Sequence, residues 1–174
     1  MPLDRRALLI LVVLPVLALV AGLATLGGDA PAPAAAAPSA GAAGCTEHAL
    51  KYAVTDDAAE FNRQKAFEAS DADITAPGFY DAAPPRTPTL HAASHGAVVV
   101  FHRPGLPADR LRPLRALVAK AAVAKVQLIV APRRQATALT TIALGRQLDC
   151  SAADAAQTTR VQAFATAVSP SLKP

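Results

Sequence analysis

Residues 97–102 read Ala-Val-Val-Val-Phe-His, and Arg103-Pro104-Gly105 follow at once. The run is too short for a stable helix, its centre is β-branched, and no alternation marks a solvent face. Those features predict a largely buried strand ended by a turn, and the rest of the domain is read outward from it. Downstream, Pro107 to Ala124 sets Leu111, Leu114, Leu117, Val118 and Ala121 at the three-and-four spacing of one helical stripe. Pro107 suits the first turn, whereas Pro113 should kink or delay the helix. Val126–Val130 (VQLIV) predicts a second strand, Ala131-Pro132-Arg133-Arg134 a turn, and Thr137–Leu144 (TALTTIAL) a third strand. The short separation of the last two predicts an antiparallel hairpin. Ser151 to Asp154 has the spacing of a capping box and opens a final helix with Val161, Phe164, Ala165 and Val168 on one face.

Upstream of residue 97, Thr46 to Ala69 predicts a helix with Leu50, Val54, Ala58 and Phe61 in register, and Ser70 to Pro88, rich in Asp and Pro, a loop. A short helix then spans the histidines, with Thr87 as cap, Pro88 at its first position and Gly96 at its end. The sum is an α+β fold: a small, about three-stranded sheet over residues 45–174, with helices covering one side. Aromatic residues make up 4% of the chain, with no Trp, so the core must be assembled from Leu, Ile, Val and Ala.

Ala7 to Leu26, ALLILVVLPVLALVAGLATL, carries no charge. Twenty such residues rising ~1.5 Å each match the ~30 Å hydrocarbon thickness of a bilayer. Pro15 and Gly22 are tolerated in that setting. Arg5 and Arg6 precede the run and only Asp29 follows closely, which predicts residues 1–6 in the cytoplasm and the remainder outside. A single transmembrane signal anchor in the cell membrane is therefore expected, with the bilayer as partner of residues 7–26. The rival is a cleaved signal peptide, whose apolar region is usually only ~7–15 residues. Gly27 to Gly44, rich in Ala, Pro and Gly, reads as a linker.

The formal net charge is +4. Arg103, Arg110, Arg112, Arg115 and the Arg133–Arg134 pair are scattered among carboxylates, with few aromatic platforms between them. That pattern argues against a nucleic-acid partner and for a solvated surface. Cys45 and Cys150 are the only cysteines. They lack the short C-x-x-C spacing of a reactive dithiol, so outside the cytoplasm they are expected to form a structural disulfide.

His91 and His95 lie four apart, and on a helix both imidazoles would face the same way. Such a pair suits a copper or zinc ion, with His102, or else His48, as a third ligand. The plainer reading places His95 near the helix dipole and His91 against a loop carbonyl. No G-x-S-x-G elbow, phosphate-binding glycine loop or H-E-x-x-H is present. Asp56–Asp57 and Asp71/Asp73 read as solvated charge, and no catalytic residue is assigned.

Gly78-Phe79-Tyr80-Asp81, His91-x-x-x-His95-Gly96 running into AVVVFHRPGLP, the IVAPR turn and Leu144-Gly145-Arg146 resemble the bacterial domain of unknown function 3105 family over about Pro77 to Val168. The resemblance implies a small domain behind an N-terminal membrane or signal segment, and no particular reaction. Members carry a Gly-Pro-His segment upstream of the Tyr-Asp stretch, whereas the matching ASDADITAPGFYD here contains no histidine. The expectation is thus an envelope domain, non-enzymatic, that binds a partner or small ligand; the alternative is a metal-binding domain built on His91 and His95.

Overall fold

The computed structural model describes residues 44–70 and 73–169. The strand anticipated at residues 97–102 is present as β3, Val98–His102, with all five residues buried. It stands inside a six-stranded mixed sheet whose other members are β1 (Cys45–Ala49), β2 (Gly78–Phe79), β4 (Leu128–Pro132), β5 (Leu139–Ala143) and β6 (Arg146–Cys150). The strand order is β1-β6-β5-β3-β4-β2. β3 and β2 run parallel to β4, while β5 is antiparallel to β3, β6 to β5 and β1 to β6. Four helices occur among the described residues: α1 (Ala58–Glu68), α2 (Arg86–Ser94), α3 (Ala108–Val123) and α4 (Ala155–Val168). The described residues all belong to one compact unit.

This corrects the expected small three-stranded sheet covered on one side. Side chains on a strand alternate faces, and here both faces are buried. Val98 and Val100 join Leu128, Val130, Leu139 and Leu148 beneath Leu114 and Leu117 of α3 and Val161 and Phe164 of α4. Val99 and Phe101 join Ile129, Ala131 and Ile142 beneath Leu90, Ala92 and Ala93 of α2. The membrane-crossing helix expected over residues 7–26, and the linker behind it, lie outside the described residues. Among the described residues, no helix is long and apolar enough to cross a membrane.

The hairpin expected between the second and third strands does not form; β3 lies between β4 and β5. A tight turn bridges one strand spacing of ~4.8 Å, but residues 133–138 must bridge two. They pass over the end of β3, where Arg133 N donates to His102 O and Arg103 N to Ala138 O. Gln135 Nε2 donates to the Phe101 carbonyl at 3.1 Å. The hairpin that does exist joins β5 to β6 through Leu144-Gly145, both in the left-handed region at φ 46° and 75°, as a two-residue turn of the twist-matched kind requires.

The helix expected over Thr46 to Ala69 is also corrected. Its first part is β1, paired residue for residue with β6. Helix α1 starts only at Ala58, where Asp57 accepts from the Ala59 and Glu60 amides. Its buried residues are Glu60 and Gln64, so a polar side packs on α2; Gln64 Nε2 donates to the Leu90 carbonyl at 3.2 Å. The cap of the final helix lies three residues later than Ser151. Asp154 is its cap, accepting from Gln157 N at 3.0 Å, while Ser151 Oγ donates to Gly44 O. Within α3, Pro113 is accommodated without ending the helix, and Pro107 sits at the cap.

Candidate functional site

Helix α2 carries the histidine pair. Pro85 caps it without a side chain, and Thr87 and Pro88 fall inside the first turn, so Thr87 is not the cap that its residue type suggested. The end is as anticipated: Gly96, at φ 94°, closes the helix, with Gly96 N donating to Ala93 O and Ala97 N to Ala92 O. One turn before this close, the rings of His91 and His95 meet. Their Nε2 atoms are 3.0 Å apart, with centroids at 4.8 Å and planes tilted by 55°. His91 is buried and His95 exposed, so the pair runs from the protein interior to solvent. His91 Nδ1 is buried with no hydrogen-bond partner among the described residues, and Phe67 meets the ring edge-on.

Beside the pair stands Glu68, at the end of α1. Its Oε1 accepts from Gln64 Nε2 at 2.8 Å and lies 2.8 Å from Ser94 Oγ, while Lys65 Nζ is 2.7 Å from Oε2. The single Ser94 proton is divided between this carboxylate and the His91 carbonyl. Partial burial pushes the Glu68 carboxyl up. Hydrogen bonds from Lys65 and Ser94, with the nearby charges of Lys65 and His91, outweigh it and hold the group below its ordinary range.

His102 is not brought to this pair. It follows Val98 and Val100 in strand parity, which places it on the face covered by α3, whereas α2 covers the other. Its ring stacks on Phe79 at 6.0 Å, and Arg115 lies over the far partner, 3.8 Å from the Phe79 centroid. His102 Nδ1 is 3.0 Å from the Arg103 carbonyl, so that nitrogen carries the proton. His48 sits on β1 with its ring nitrogens 3.8 Å from Asp56 and 4.0 Å from Asp149. Among the described residues, no group of three or more His, Cys, Asp or Glu side chains is arranged to hold a metal ion. Cys45 and Cys150 are joined as a disulfide across the β1–β6 register, as expected.

A second feature leaves no motif in the sequence. A cleft of about 390 Å³ opens on the α2 side of the sheet. Thr140 and Ile142 of β5 and Gln147 and Asp149 of β6 form its floor, residues 54–57 and the loop before β5 its walls. Asp149 accepts from Thr140 Oγ1 at 2.6 Å and Gln147 Nε2 at 2.7 Å. Arg86 reaches the rim with its Nε 2.8 Å from Glu60, and the Arg133 guanidinium lies 4.9 Å from the Phe101 centroid. At the other wall Asp57 is held below its ordinary range by the amides of Glu60 and Ala59. Asp56, read from sequence as solvated charge, and Asp149 thus share this cleft with two guanidinium groups. The only signal in the sequence is alternation of polar residues on β5 and β6, which acquires meaning from the pairing of β6 with β5.

Neither a curated protein nor a solved structure matches the chain. A family described as "Protein of unknown function (DUF3105)" matches residues 69–171, a span that takes in the histidine pair, β2 to β6 and α4. By that match over more than half its length, the chain belongs to the DUF3105 family of proteins of unknown function.

Proposed function

We propose that this chain is an extracytoplasmic, non-enzymatic binding protein whose cleft between residues 54–57, β5–β6 and the loop before β5 takes a small polar ligand bearing both charges. The observation that carries the reading is the lining of that cleft, which brings Arg133 and Asp149 together with the hydroxyls of Thr137 and Thr140 and the amide of Gln147. Its volume of about 390 Å³ falls in the range of sites for small molecules. A carboxylate on the ligand would meet Arg133 as a charge-assisted pair, and an ammonium would meet Asp149. The cystine bridge supports a place outside the cytoplasm, where disulfides persist. The uncharged run at residues 7–26 supports export and retention at the cell membrane.

The test is a thermal-shift screen of the purified full chain against amino acids and short peptides, with neutral sugars as the contrasting set. Stabilisation by the doubly charged set, abolished in both Arg133→Gln and Asp149→Asn, is the expected result. A response to neutral sugars alone, or one indifferent to both substitutions, refutes the assignment.

A second reading is favoured by one observation. The Nε2 atoms of His91 and His95 stand 3.0 Å apart at a surface open to solvent, a separation that two ligands of one copper or zinc ion can share. Uptake of either ion by the full chain, lost in His95→Gln, tests it.

A further inference from the structure

We infer that a second pocket, formed where the end of α1 and the start of α2 meet the residues around β2, takes a small organic cation with an apolar body, its charge held at Asp73. This pocket shares no residue with the cleft that carries the proposed function, and the inference stands apart from that reading. The pocket measures about 490 Å³, within the range of small-molecule sites. Phe67, Ile74, Tyr80 and the prolines Pro84, Pro85 and Pro88 line it, and Ile74 is left 43% exposed. Removing an apolar group from water against such a surface is favourable, so the body of the ligand is hydrocarbon or aromatic.

The polar groups fix the sign of its charge, because the walls accept hydrogen bonds and offer few. Proline has no backbone N–H, so three of the lining residues bring carbonyls and no amide donor. The hydroxyl protons are spent within the protein. Thr89 Oγ1 donates to Pro85 O at 2.8 Å and lies 3.0 Å from Thr75 Oγ1, so the Thr75 proton goes to Thr89. Tyr80 Oη donates to Ala76 O at 2.8 Å. Thr75 N also donates to Pro88 O at 3.2 Å, which pins this wall to α2 without a ligand. No lysine or arginine lines the pocket. Asp73 does; it is exposed, and its carboxylate has no hydrogen bond or ion pair among the described residues. A ligand carboxylate or phosphate would meet no side-chain donor and one like charge. An ammonium meets an unpaired carboxylate and two aromatic side chains of the kind that attract cations.

The experiment is a nuclear magnetic resonance titration of the purified full chain with three probes of similar size: phenethylammonium, phenethyl alcohol and hydrocinnamate. The methyl signals of Ile74 and the ring signals of Tyr80 report the pocket. Expected is saturable movement of both by the ammonium, with an affinity about tenfold above that of the alcohol, since an exposed ion pair and a cation on an aromatic ring are each worth up to about fivefold. The carboxylate should bind more weakly than the alcohol. Asp73→Asn should bring the ammonium to within about threefold of the alcohol, while Asp149→Asn, in the other cleft, should change neither. Asp73 is exposed, so its replacement leaves the core intact, and the ranking of the probes on the unaltered chain depends on no variant. An alcohol or carboxylate bound as tightly as the ammonium overturns the inference, as does ammonium binding indifferent to Asp73→Asn. So does the absence of any shift at Ile74 and Tyr80 with millimolar ammonium. Ammonium binding lost in Asp149→Asn alone belongs to the cleft of the proposed function and also overturns the inference, so the two readings fail separately.

Discussion

Breaking the Cys45–Cys150 bridge is the perturbation whose size the structure sets most directly. The two cysteines are 105 residues apart in sequence and opposite one another in the β1–β6 register. The bond therefore closes a loop that contains nearly every element except α4. In the chain-entropy treatment, closing about 100 residues removes denatured-state freedom worth about 4.7 kcal/mol at 25 °C. Because β1 is an edge strand, bonded among the described residues to β6 alone, its five residues are also the first part of the sheet released when the bridge opens. Paired Cys45→Ala and Cys150→Ala substitutions should cost about 3–5 kcal/mol, the usual range for a native bridge. With a urea dependence of about 2 kcal/mol/M for a domain of this size, the midpoint should move down by about 2 M. Replacement by Ala keeps the sites apolar, since both are buried beneath α4. The assay is urea unfolding by circular dichroism on the oxidised chain, the dithiothreitol-reduced chain and the double variant, with thiol titration giving no free thiols before reduction. Reduced chain and double variant should agree within about 1 kcal/mol, because both lose the same cross-link. A midpoint shift corresponding to less than 1 kcal/mol would refute the argument that the loop, rather than the surrounding sheet, holds the ends together.

Leu144 occupies the left-handed region at φ 46° and is exposed; Leu144→Asn should raise stability by about 1 kcal/mol in the same urea assay, because Asn-Gly suits this turn and Leu does not. Leu90→Ala, at a fully buried position of α2, should cost about 3 kcal/mol, and a cost below 1 kcal/mol would mean that α2 does not pack on the sheet as described. Asp154→Ala should cost about 1 kcal/mol by uncapping α4, whereas Ser151→Ala should cost less, since the Ser151 hydroxyl bonds Gly44 O rather than a helix amide. Glu68 has a folded value below its ordinary 4.5, so its stabilising contribution is complete above pH 4.5 and is lost as pH falls through the lower folded value. Glu68→Gln should accordingly flatten the acid limb of the stability–pH curve and leave the neutral limb parallel to that of the unaltered chain.

Legibility of the fold in the sequence follows the strength of the local signal. β3 declares itself because a run of β-branched residues ended by Pro-Gly admits little else, and α3 and α4 do so because their apolar stripes face one layer each. Three elements are missed for a common reason: each has few apolar residues to mark it. α1 buries Gln64 and Glu60 rather than an apolar stripe, β1 (CTEHA) buries only Cys45, and β6 (RQLDC) only Leu148 and Cys150, too little apolar signal to mark a strand. Their strand character comes from the pairing itself and from the disulfide, both of which are long-range. The β5–β6 turn is hidden by Leu144, a residue that two-residue turns rarely accept at φ above zero.

The fate of His102 shows which part of a site strand parity alone decides. A strand buried on both faces sorts its residues by parity, so Val98, Val100 and His102 belong to one face and Val99 and Phe101 to the other. A crossover helix between parallel strands covers one face, and here α3 covers the even-numbered residues of β3. Helix α2 reaches β3 through the tight Gly96 close, and its Leu90 and Ala93 meet Val99 and Phe101 on the opposite face. Any histidine on α2 is thereby separated from His102 by the thickness of the sheet. Spacing along the chain brings His91, His95 and His102 within a dozen residues; the two-residue period of the strand keeps the third apart from the first two. The same parity accounts for the cleft, since Thr140, Ile142, Gln147 and Asp149 all face the α2 side, where α2 contributes only Arg86 to the lining.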